Sequence, residues 1–313
     1  IGIVGAGAMG GLFGGILTKA GQDVWLIDNH KERAEKINRE GLIIEESGVL
    51  RPGEPKEEVI RIKATTKPRE VGPCDLVILF VKAYDTEEAT RNSLPLTGSR
   101  TVWLTLQNGL GNIEKMGKIL GKGNVIGGIT YQGATVLEIG RIRHAGFGKT
   151  EIGEISGKKS ERIKYISDIL NQAGIDTEIS ENIEGLLWGK LLINAVINPL
   201  TAITGVKNGQ LLESPHLREI MKLVVEEAMK VPLRKGIRLP YQRVVEKVEE
   251  QCQASRDNIS SMLQDILRKR RTEIDFINGA IVSEGEKLGI PTPLNRVLWN
   301  LVKFLEGRAE DAE

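Results

Sequence analysis

A lysine and two asparagines stand at regular spacing in an apolar stretch of the second half of the chain. Lys190, Asn194 and Asn198 lie four residues apart, so a helix would present all three on one face. Their neighbours are apolar, and polar groups in such surroundings need partners or ligands. An ammonium beside neutral donors suits an anionic substrate that must also receive a proton. A polar seam between two packed helices explains the same spacing, and both interpretations stay open at this point.

A glycine-rich turn stands at the other end of the chain. Residues 5–10 form a GxGxxG pattern between an apolar strand and an apolar helix, and Asp28 follows 18 residues after the last glycine, at the end of the second strand. These glycines allow a tight turn, close approach of a pyrophosphate and close packing of helix on strand. The helix N-terminus adds free N–H groups for the phosphates. The predicted dinucleotide-binding residues of this turn are Gly5, Ala6, Gly7, Ala8, Met9 and Gly10.

Asp28 bears on the choice of cofactor. A carboxylate at this position accepts hydrogen bonds from the adenosine ribose hydroxyls, which favours NADH and repels the 2′-phosphate of NADPH. His30, Lys31 and Arg33 follow it and could surround such a phosphate, although they are also ordinary residues for the start of a polar helix. The residues therefore favour NADH and leave NADPH open.

The first half of the chain alternates apolar strands with helices, which predicts an α/β fold with a doubly wound parallel sheet, the Rossmann arrangement. A polar stretch over 41–64 is expected to form a hairpin hung on this sheet, and 133–153 to form antiparallel strands that finish the far side. Glycines inside the first helix indicate a surface approached closely by a sheet, a ligand or a neighbouring domain. They are Gly11, Gly14 and Gly15. Strands are predicted over 1–4, 23–28, 76–81, 101–106, 125–130 and 177–179, and helices up to residue 20 and over 31–39, 86–92, 113–120 and 162–173.

From residue 181 the helical period dominates, with helices predicted over 186–196, 217–231, 242–252, 259–270 and 274–288. A chain of 313 residues favours two domains. We therefore predict a Rossmann dinucleotide-binding domain over 1–180 and an all-helical substrate and catalytic domain over 181–313.

The composition excludes several classes of function. Lys plus Arg number 43 and Asp plus Glu 42, so a nucleic-acid or membrane-surface partner is not expected. Cys74, Cys252 and three scattered histidines do not suggest a metal site. No apolar run is found that approaches the roughly 20 residues of a membrane helix. The first residues lack the pattern of a signal peptide, and we expect a cytoplasmic protein.

Over essentially its whole length the chain resembles the ketopantoate reductase family. The pieces that carry the resemblance are GAGAMG at residue 5, FVKAYDT around Lys82, LQNGLGN around Asn108, GKLLINAVINPLTAI from residue 189, and NISSMLQDILRKRRTEIDFINGAI from residue 258. Each piece is moderately specific, and all five in this order are highly so. The charges of the last piece alone would be interpreted as a solvated stripe.

The resemblance implies a reaction and a set of residue roles. The reaction is the reduction of ketopantoate to pantoate in pantothenate and coenzyme A synthesis, usually with NADPH. Lys190 would be the general acid, and Glu273 would orient or assist it. Asn194, Asn198 and Ser261 would hold the substrate. Lys82 and Asn108 would lie against the cofactor, with Asn108 also serving the substrate. The chain departs from the family where it has Asp28, since members commonly carry a basic residue there for the 2′-phosphate.

Rival hypotheses stay open beside this one. The nearest is a reductase of the same build for another 2-keto or 2-imino acid. A second is a dinucleotide-binding regulator without catalysis, which would have no use for a lysine, a glutamate and several amide or hydroxyl donors. The long amphipathic helices suit either an intramolecular core or the face of a homodimer.

Overall fold

The computed structural model describes residues 1–47 and 56–310 of the chain, with side chains up to residue 307. These residues form two compact units. One consists of Ile1–Gln107 and Asn112–Ile183, and the other of Asn108–Gly111 and Glu184–Glu313. The division falls at 183/184, against the predicted 180/181. It also groups the four residues 108–111 with the helical unit, whereas the sequence prediction assigned them to the first domain.

The first unit is an α/β unit, as predicted. Its strands are β1 (Gly2–Val4), β2 (Trp25–Ile27), β3 (Leu42–Glu46), β4 (Glu57–Ile60), β5 (Lys63–Thr65), β6 (Leu76–Leu79), β7 (Val102–Thr105), β8 (Val125–Thr130), β9 (Gly133–Glu138), β10 (Arg141–Gly146), β11 (Thr150–Glu154) and β12 (Thr177–Ile179). Its helices are α1 (Ala8–Lys19), α2 (Lys31–Glu40), α3 (Thr86–Asn92), α4 (Asn112–Leu120) and α5 (Glu161–Gln172).

Eight strands form the main sheet, in the order β12-β11-β8-β7-β6-β1-β2-β5. The strands from β5 to β8 pair in parallel, and β11 joins antiparallel to β8. The central strands are buried runs of apolar residues, as in a sheet covered on both faces. Because the parallel strands end at one edge, the turns after β1, β2, β6 and β7 all lie along that edge.

The structure corrects the prediction of a hairpin hung on the main sheet. Strands β3 and β4 do pair antiparallel, but they belong to a separate four-stranded sheet in the order β4-β3-β10-β9. Only β5, from the end of that stretch, joins the main sheet. Residues 48–55 of the expected hairpin lie outside the described residues. The strands β9 and β10 likewise go to the small sheet, so of the 133–153 segment only β11 extends the main one.

Helix α1 lies between the two sheets, which explains its internal glycines. A Cβ at Gly14 would lie 2.7 Å from the Leu26 side chain in the main sheet. A Cβ at Gly15 would lie 2.6 Å from Ile44 in the small sheet. The sequence left open whether a sheet, a ligand or a neighbouring domain approaches these glycines. At Gly14 and Gly15 it is a sheet.

The second unit is all-helical, as predicted. Its helices are α6 (Ile183–Thr204), α7 (Pro215–Arg234), α8 (Val244–Ala254), α9 (Ser261–Leu267), α10 (Asn278–Lys287) and α11 (Pro293–Glu310). Helix α6 forms the centre of the apolar core. Among the described residues it is the one helix long and apolar enough to cross a membrane by length and composition, and most of that stretch is buried within the protein. Polar residues such as Lys190, Asn194 and Asn198 interrupt its apolar sequence, which is why no apolar run of that length was expected from the sequence.

Candidate active site

The glycine turn connects β1 to α1 in the first unit. Gly5 has φ +99°, and a Cβ there would lie 2.9 Å from the backbone nitrogen of Val81. A Cβ at Gly10 would lie 1.8 Å from the carbonyl oxygen of Gly5. Neither position can accept a side chain, because the first needs a left-handed backbone and the second has no room. The turn is therefore built so that α1 starts directly above the end of β1.

The start of α1 suits an anion. Gly7 is the N-cap residue, no side chain caps the helix, and the first turn holds no acidic residue. A Cβ at Gly7 would meet no atom within 4 Å, so the approach to the first-turn N–H groups is open. Backbone N–H groups and the helix dipole at such an end favour phosphate. The residues present thus fit the pyrophosphate of a dinucleotide.

Asp28 ties the end of β2 to this turn. Its Oδ2 accepts hydrogen bonds from the Ala6 backbone N–H at 2.8 Å and from Arg33 Nη1 at 2.6 Å, and its Oδ1 accepts from the His30 backbone N–H at 2.9 Å. The side chain is buried. Three donors therefore fix the carboxylate beside the glycine turn, a structural role that the sequence analysis did not foresee. One acceptor site remains on Oδ1.

Lys82 follows β6 and begins the short 3₁₀ helix Ala83–Asp85. Behind it lies a buried network that the sequence analysis missed. Gln107 Nε2 donates to the Val81 carbonyl oxygen at 2.7 Å and to Thr86 Oγ1 at 2.9 Å, and its Oε1 accepts from Thr105 Oγ1 at 2.9 Å. This network fixes the backbone just before Lys82. The available sequence signals were the position of Gln107 directly after an apolar strand and its place in the piece LQNGLGN.

Asn108 begins the four residues that group with the helical unit. Two residues on, the Leu110 backbone N–H donates to the Phe276 carbonyl oxygen at 3.0 Å. A Cβ at Gly109 would lie 2.6 Å from that same oxygen. The segment after β7 is thereby held against the segment that follows Glu273.

Helix α6 carries the predicted catalytic face. Lys190, Asn194 and Asn198 lie on successive turns, about 6 Å apart along the axis. Asn198 is buried, and the other two are partly buried. Burial lowers the pKa of the Lys190 ammonium from 10.5 to about 8, although the nearby Glu273 carboxylate raises it. Lys190 is therefore mostly protonated at neutral pH and is a much stronger acid than an exposed lysine.

Glu273 is buried in the same unit and is close enough to Lys190 to affect its pKa. The preceding residue fixes its backbone. The Thr272 backbone N–H and Oγ1 donate to Glu306 Oε1 on α11, at 2.7 and 2.6 Å. Because Glu306 also accepts from Lys303 at 2.5 Å, an ion pair anchors the segment that carries the glutamate.

Ser261 is the first residue of α9 and is exposed. The buried neighbour Ser260, which was not predicted, caps this helix by accepting from the Leu263 backbone N–H at 3.1 Å. Ser260 Oγ is also hydrogen-bonded to Thr201 Oγ1 of α6 at 2.6 Å. The cap thus joins the start of α9 to α6, one turn beyond Asn198. A serine before an apolar helix was the available signal, since serine favours N-caps.

Two sets of residues emerge, one in each unit. In the first unit, Asp28 is hydrogen-bonded to the glycine turn. In the helical unit, Lys190, Asn194 and Asn198 share one face of α6, and Glu273 lies near the lysine. Chemically, the second set offers an acidic ammonium and neutral hydrogen-bond donors. In the part of the chain that the structure describes, no group of His, Cys, Asp or Glu could hold a metal ion.

Two family models match the chain. The model described as "Ketopantoate reductase PanE/ApbA" matches residues 1–157, and its C-terminal counterpart matches residues 182–306. The chain belongs to this family. Its sequence is 40% identical to the 2-dehydropantoate 2-reductase of Pyrococcus horikoshii over 308 residues, which cover 97% of this chain and 96% of that relative.

Solved structures of the same fold match this chain over nearly all of its residues. A PanE/ApbA family ketopantoate reductase from Ralstonia eutropha superposes with a TM-score of 0.89 at 32% identity, covering 99% of this chain and 100% of that one. A ternary structure of D-mandelate dehydrogenase with NADH and anilino(oxo)acetate superposes with a TM-score of 0.92 at 30% identity, covering 99% of each chain. The predicted family and fold class are therefore confirmed, while the individual roles of the site residues stay predictions.

Proposed function

We propose that this protein is a 2-dehydropantoate 2-reductase, which reduces ketopantoate to pantoate for pantothenate synthesis. The observation that carries the proposal is the acidic ammonium of Lys190, near Glu273 and on one helix face with two asparagines, in a chain of this family. Bound NAD(P)H supplies the hydride that the keto carbon receives. The residues of the protein must then bind the anionic substrate and give its keto oxygen a proton.

Lys190 has the properties of that proton donor. Its ammonium is attracted to the negative charge that develops on the keto oxygen, and the proton passes from Nζ to that oxygen as the alkoxide forms. A pKa of about 8 keeps it protonated at neutral pH while making it a good acid. Glu273 keeps the charged form accessible despite burial. The neutral amine then takes a proton from solvent, so each turnover consumes one proton.

Asn194, Asn198 and Ser261 suit the rest of the substrate. Neutral amide and hydroxyl donors bind a carboxylate without removing the charge of the neighbouring ammonium. They also bind a hydroxyl group, and a buried amide left without its partner rejects an analogue that lacks this group. Ketopantoate carries both groups, which is why these residues favour it over simpler keto acids.

The D-mandelate dehydrogenase similarity gives one specific rival, a reductase of aryl 2-keto acids. The test is a steady-state assay of nicotinamide oxidation with ketopantoate, pyruvate and phenylglyoxylate. We expect kcat/KM for ketopantoate to exceed the others by at least about 10²-fold, because the hydroxyl contacts are lost in both analogues. A higher kcat/KM for phenylglyoxylate would replace the proposed substrate, and no turnover of any keto acid would refute the reductase.

For the cofactor we propose that NADH is preferred. The Asp28 carboxylate is buried beside the glycine turn and retains one acceptor site, which suits a ribose hydroxyl and repels a 2′-phosphate. Arg33 already pairs with that carboxylate at 2.6 Å. We expect NADH to give the larger kcat/KM, and Asp28→Asn to narrow the difference because the repulsive charge is gone. A larger kcat/KM with NADPH in the parent protein would refute this preference.

We further propose a homodimer formed through α11. Val297, Leu301 and Phe304 lie on one face of this helix at spacings of four and three, and are 53%, 44% and 63% exposed. A stripe of large apolar side chains in water favours association. Light scattering should give the mass of a dimer at micromolar concentration, and Leu301→Glu should shift it to that of the monomer. A monomeric parent would refute the proposal.

A further inference from the structure

Helix α6 continues through a proline in its substrate-binding half. Pro199 stands directly after Asn198 and inside the helix Ile183–Thr204. A proline has no N–H, so the carbonyl of the residue four positions earlier loses its helical donor, and the ring pushes that carbonyl aside. This residue is Ala195, directly after Asn194. The irregular turn therefore falls between the two asparagines that the proposed function assigns to the substrate.

The side chain of Asn278 supplies the missing donor. Its Nδ2 donates to the Ala195 carbonyl oxygen at 2.9 Å, and the residue is fully buried on α10. A buried carbonyl without a partner would cost about 1–3 kcal/mol, so this bond makes the proline tolerable within the helix. Asn278 thus fixes the position of the displaced carbonyl from outside α6.

The orientation of the Asn278 amide is set by a chain of hydrogen bonds. Its Nδ2 also donates to Asn295 Oδ1 at 3.0 Å. Asn295 Nδ2 donates in turn to Glu227 Oε1 at 2.9 Å, and the same carboxylate accepts the backbone N–H groups of Leu294 and Asn295. Because the Glu227 carboxylate can only accept hydrogen bonds, the side-chain amides of Asn295 and Asn278 each have one permitted orientation. The NH₂ group of Asn278 must face α6.

We propose that Asn278 is a positioning residue for the substrate. It replaces the N–H that Pro199 lacks and holds the irregular turn of α6, so that Asn194 and Asn198 keep the spacing that fits the substrate carboxylate and hydroxyl. The inference rests on the proposed function of those two asparagines. A purely structural alternative is that Asn278 only satisfies a buried carbonyl, with no effect on the substrate.

Two substitutions separate the positioning role from the structural one. Asn278→Leu removes the donor at similar volume, while Pro199→Ala restores a backbone N–H at position 199 and lets the turn become regular. We expect Asn278→Leu to lower Tm and to raise the KM for ketopantoate by about tenfold or more, since small displacements of binding groups are costly. Pro199→Ala should keep or raise Tm yet also raise KM at least severalfold. The double variant should regain Tm but not the parent KM.

The effect of Pro199→Ala on KM must be compared with that of the same substitution at a proline outside α6. Pro232 is buried inside α7, and Pro232→Ala is the matched control, with an unchanged KM expected. A KM within twofold of the parent in Pro199→Ala and in the double variant would overturn the proposal, whatever happens to Tm. Pro199→Ala decides alone if Asn278→Leu fails to fold. If the parent reduces another 2-keto acid instead, the proposed function fails, and the same variants are compared using that substrate.

Discussion

Replacing Lys190, the proposed acid, should stabilise the protein. Burial lowers the pKa of Lys190 from 10.5 to about 8. Each pKa unit corresponds to about 1.4 kcal/mol, so holding this lysine charged costs the folded state about 3 kcal/mol at most. The residue is only partly buried, and solvent screening reduces that cost. Lys190→Met, which keeps the volume and removes the charge, should therefore keep or raise the free energy of unfolding at pH 7 while turnover is lost.

The pH dependence of this cost gives the sharper test. Below pH 8 the lysine is protonated in both the folded and the unfolded states, and the full cost is present. Between pH 8 and 10.5 the folded protein has released the proton and the unfolded chain still binds it, so stability rises with pH. The free energy of unfolding of the parent should therefore increase relative to that of Lys190→Met, by up to about 3 kcal/mol over this range.

The assay is urea unfolding of both proteins at several values between pH 7 and 10.5. Trp188 and Trp299 report on the helical unit, and the transition of that unit is the one to compare, because a two-unit chain need not unfold in one step. Other groups titrate in both proteins and cancel in the difference. A difference that stays constant across this pH range would show that the folded state does not disfavour charged Lys190, and the reasoning would be refuted.

Three further predictions concern the rest of the site. Gly10→Ala should abolish measurable cofactor binding and destabilise the first unit by about 3 kcal/mol or more, because the new Cβ would overlap the Gly5 carbonyl. Isothermal titration calorimetry measures the binding and thermal unfolding measures the stability. A Kd for the cofactor equal to that of the parent would contradict the prediction. Thr201→Val should cost about 1–2 kcal/mol in urea unfolding through the lost bond to Ser260, whereas an unchanged midpoint would show that the bond contributes nothing. In the parent, kcat/KM for keto-acid reduction should fall above pH about 8 as Lys190 loses its proton, and a profile flat to pH 10 would exclude it as the acid.

Local pattern was enough to predict the central strands of the main sheet. Strands β1, β6 and β7 are buried, mainly apolar runs, and the glycine turn marks the first crossing from strand to helix. The small sheet could not be predicted in the same way. Its strand β3 pairs in parallel with β10, which lies about a hundred residues later, with Ile43 opposite Arg141. Alternation identifies such segments as strands, but it contains no information about a partner so far along the chain.

The helical unit shows the same limit at the level of single residues. The spacing of the lysine and asparagines predicted one shared face, and α6 has it. The prediction ended this helix at residue 196, three residues before Pro199, a residue type that normally breaks a helix. The helix nevertheless continues to Thr204, and Asn278, from a distant helix, donates to the Ala195 carbonyl that lacks its helical donor. Likewise Ser260 and Thr201 meet only in the folded chain, so neither could be recognised as support for the site.

The central claim is that the ammonium of Lys190 provides the proton in keto-acid reduction, and chemical rescue tests it most directly. Single-turnover rates with ketopantoate are measured for the parent and for Lys190→Ala, with and without added methylammonium. We expect the rate of the variant to fall by about 10²–10⁴-fold with cofactor binding unchanged, and methylammonium to restore part of it. A variant that reduces ketopantoate within a few-fold of the parent rate, without any added amine, would contradict the claim.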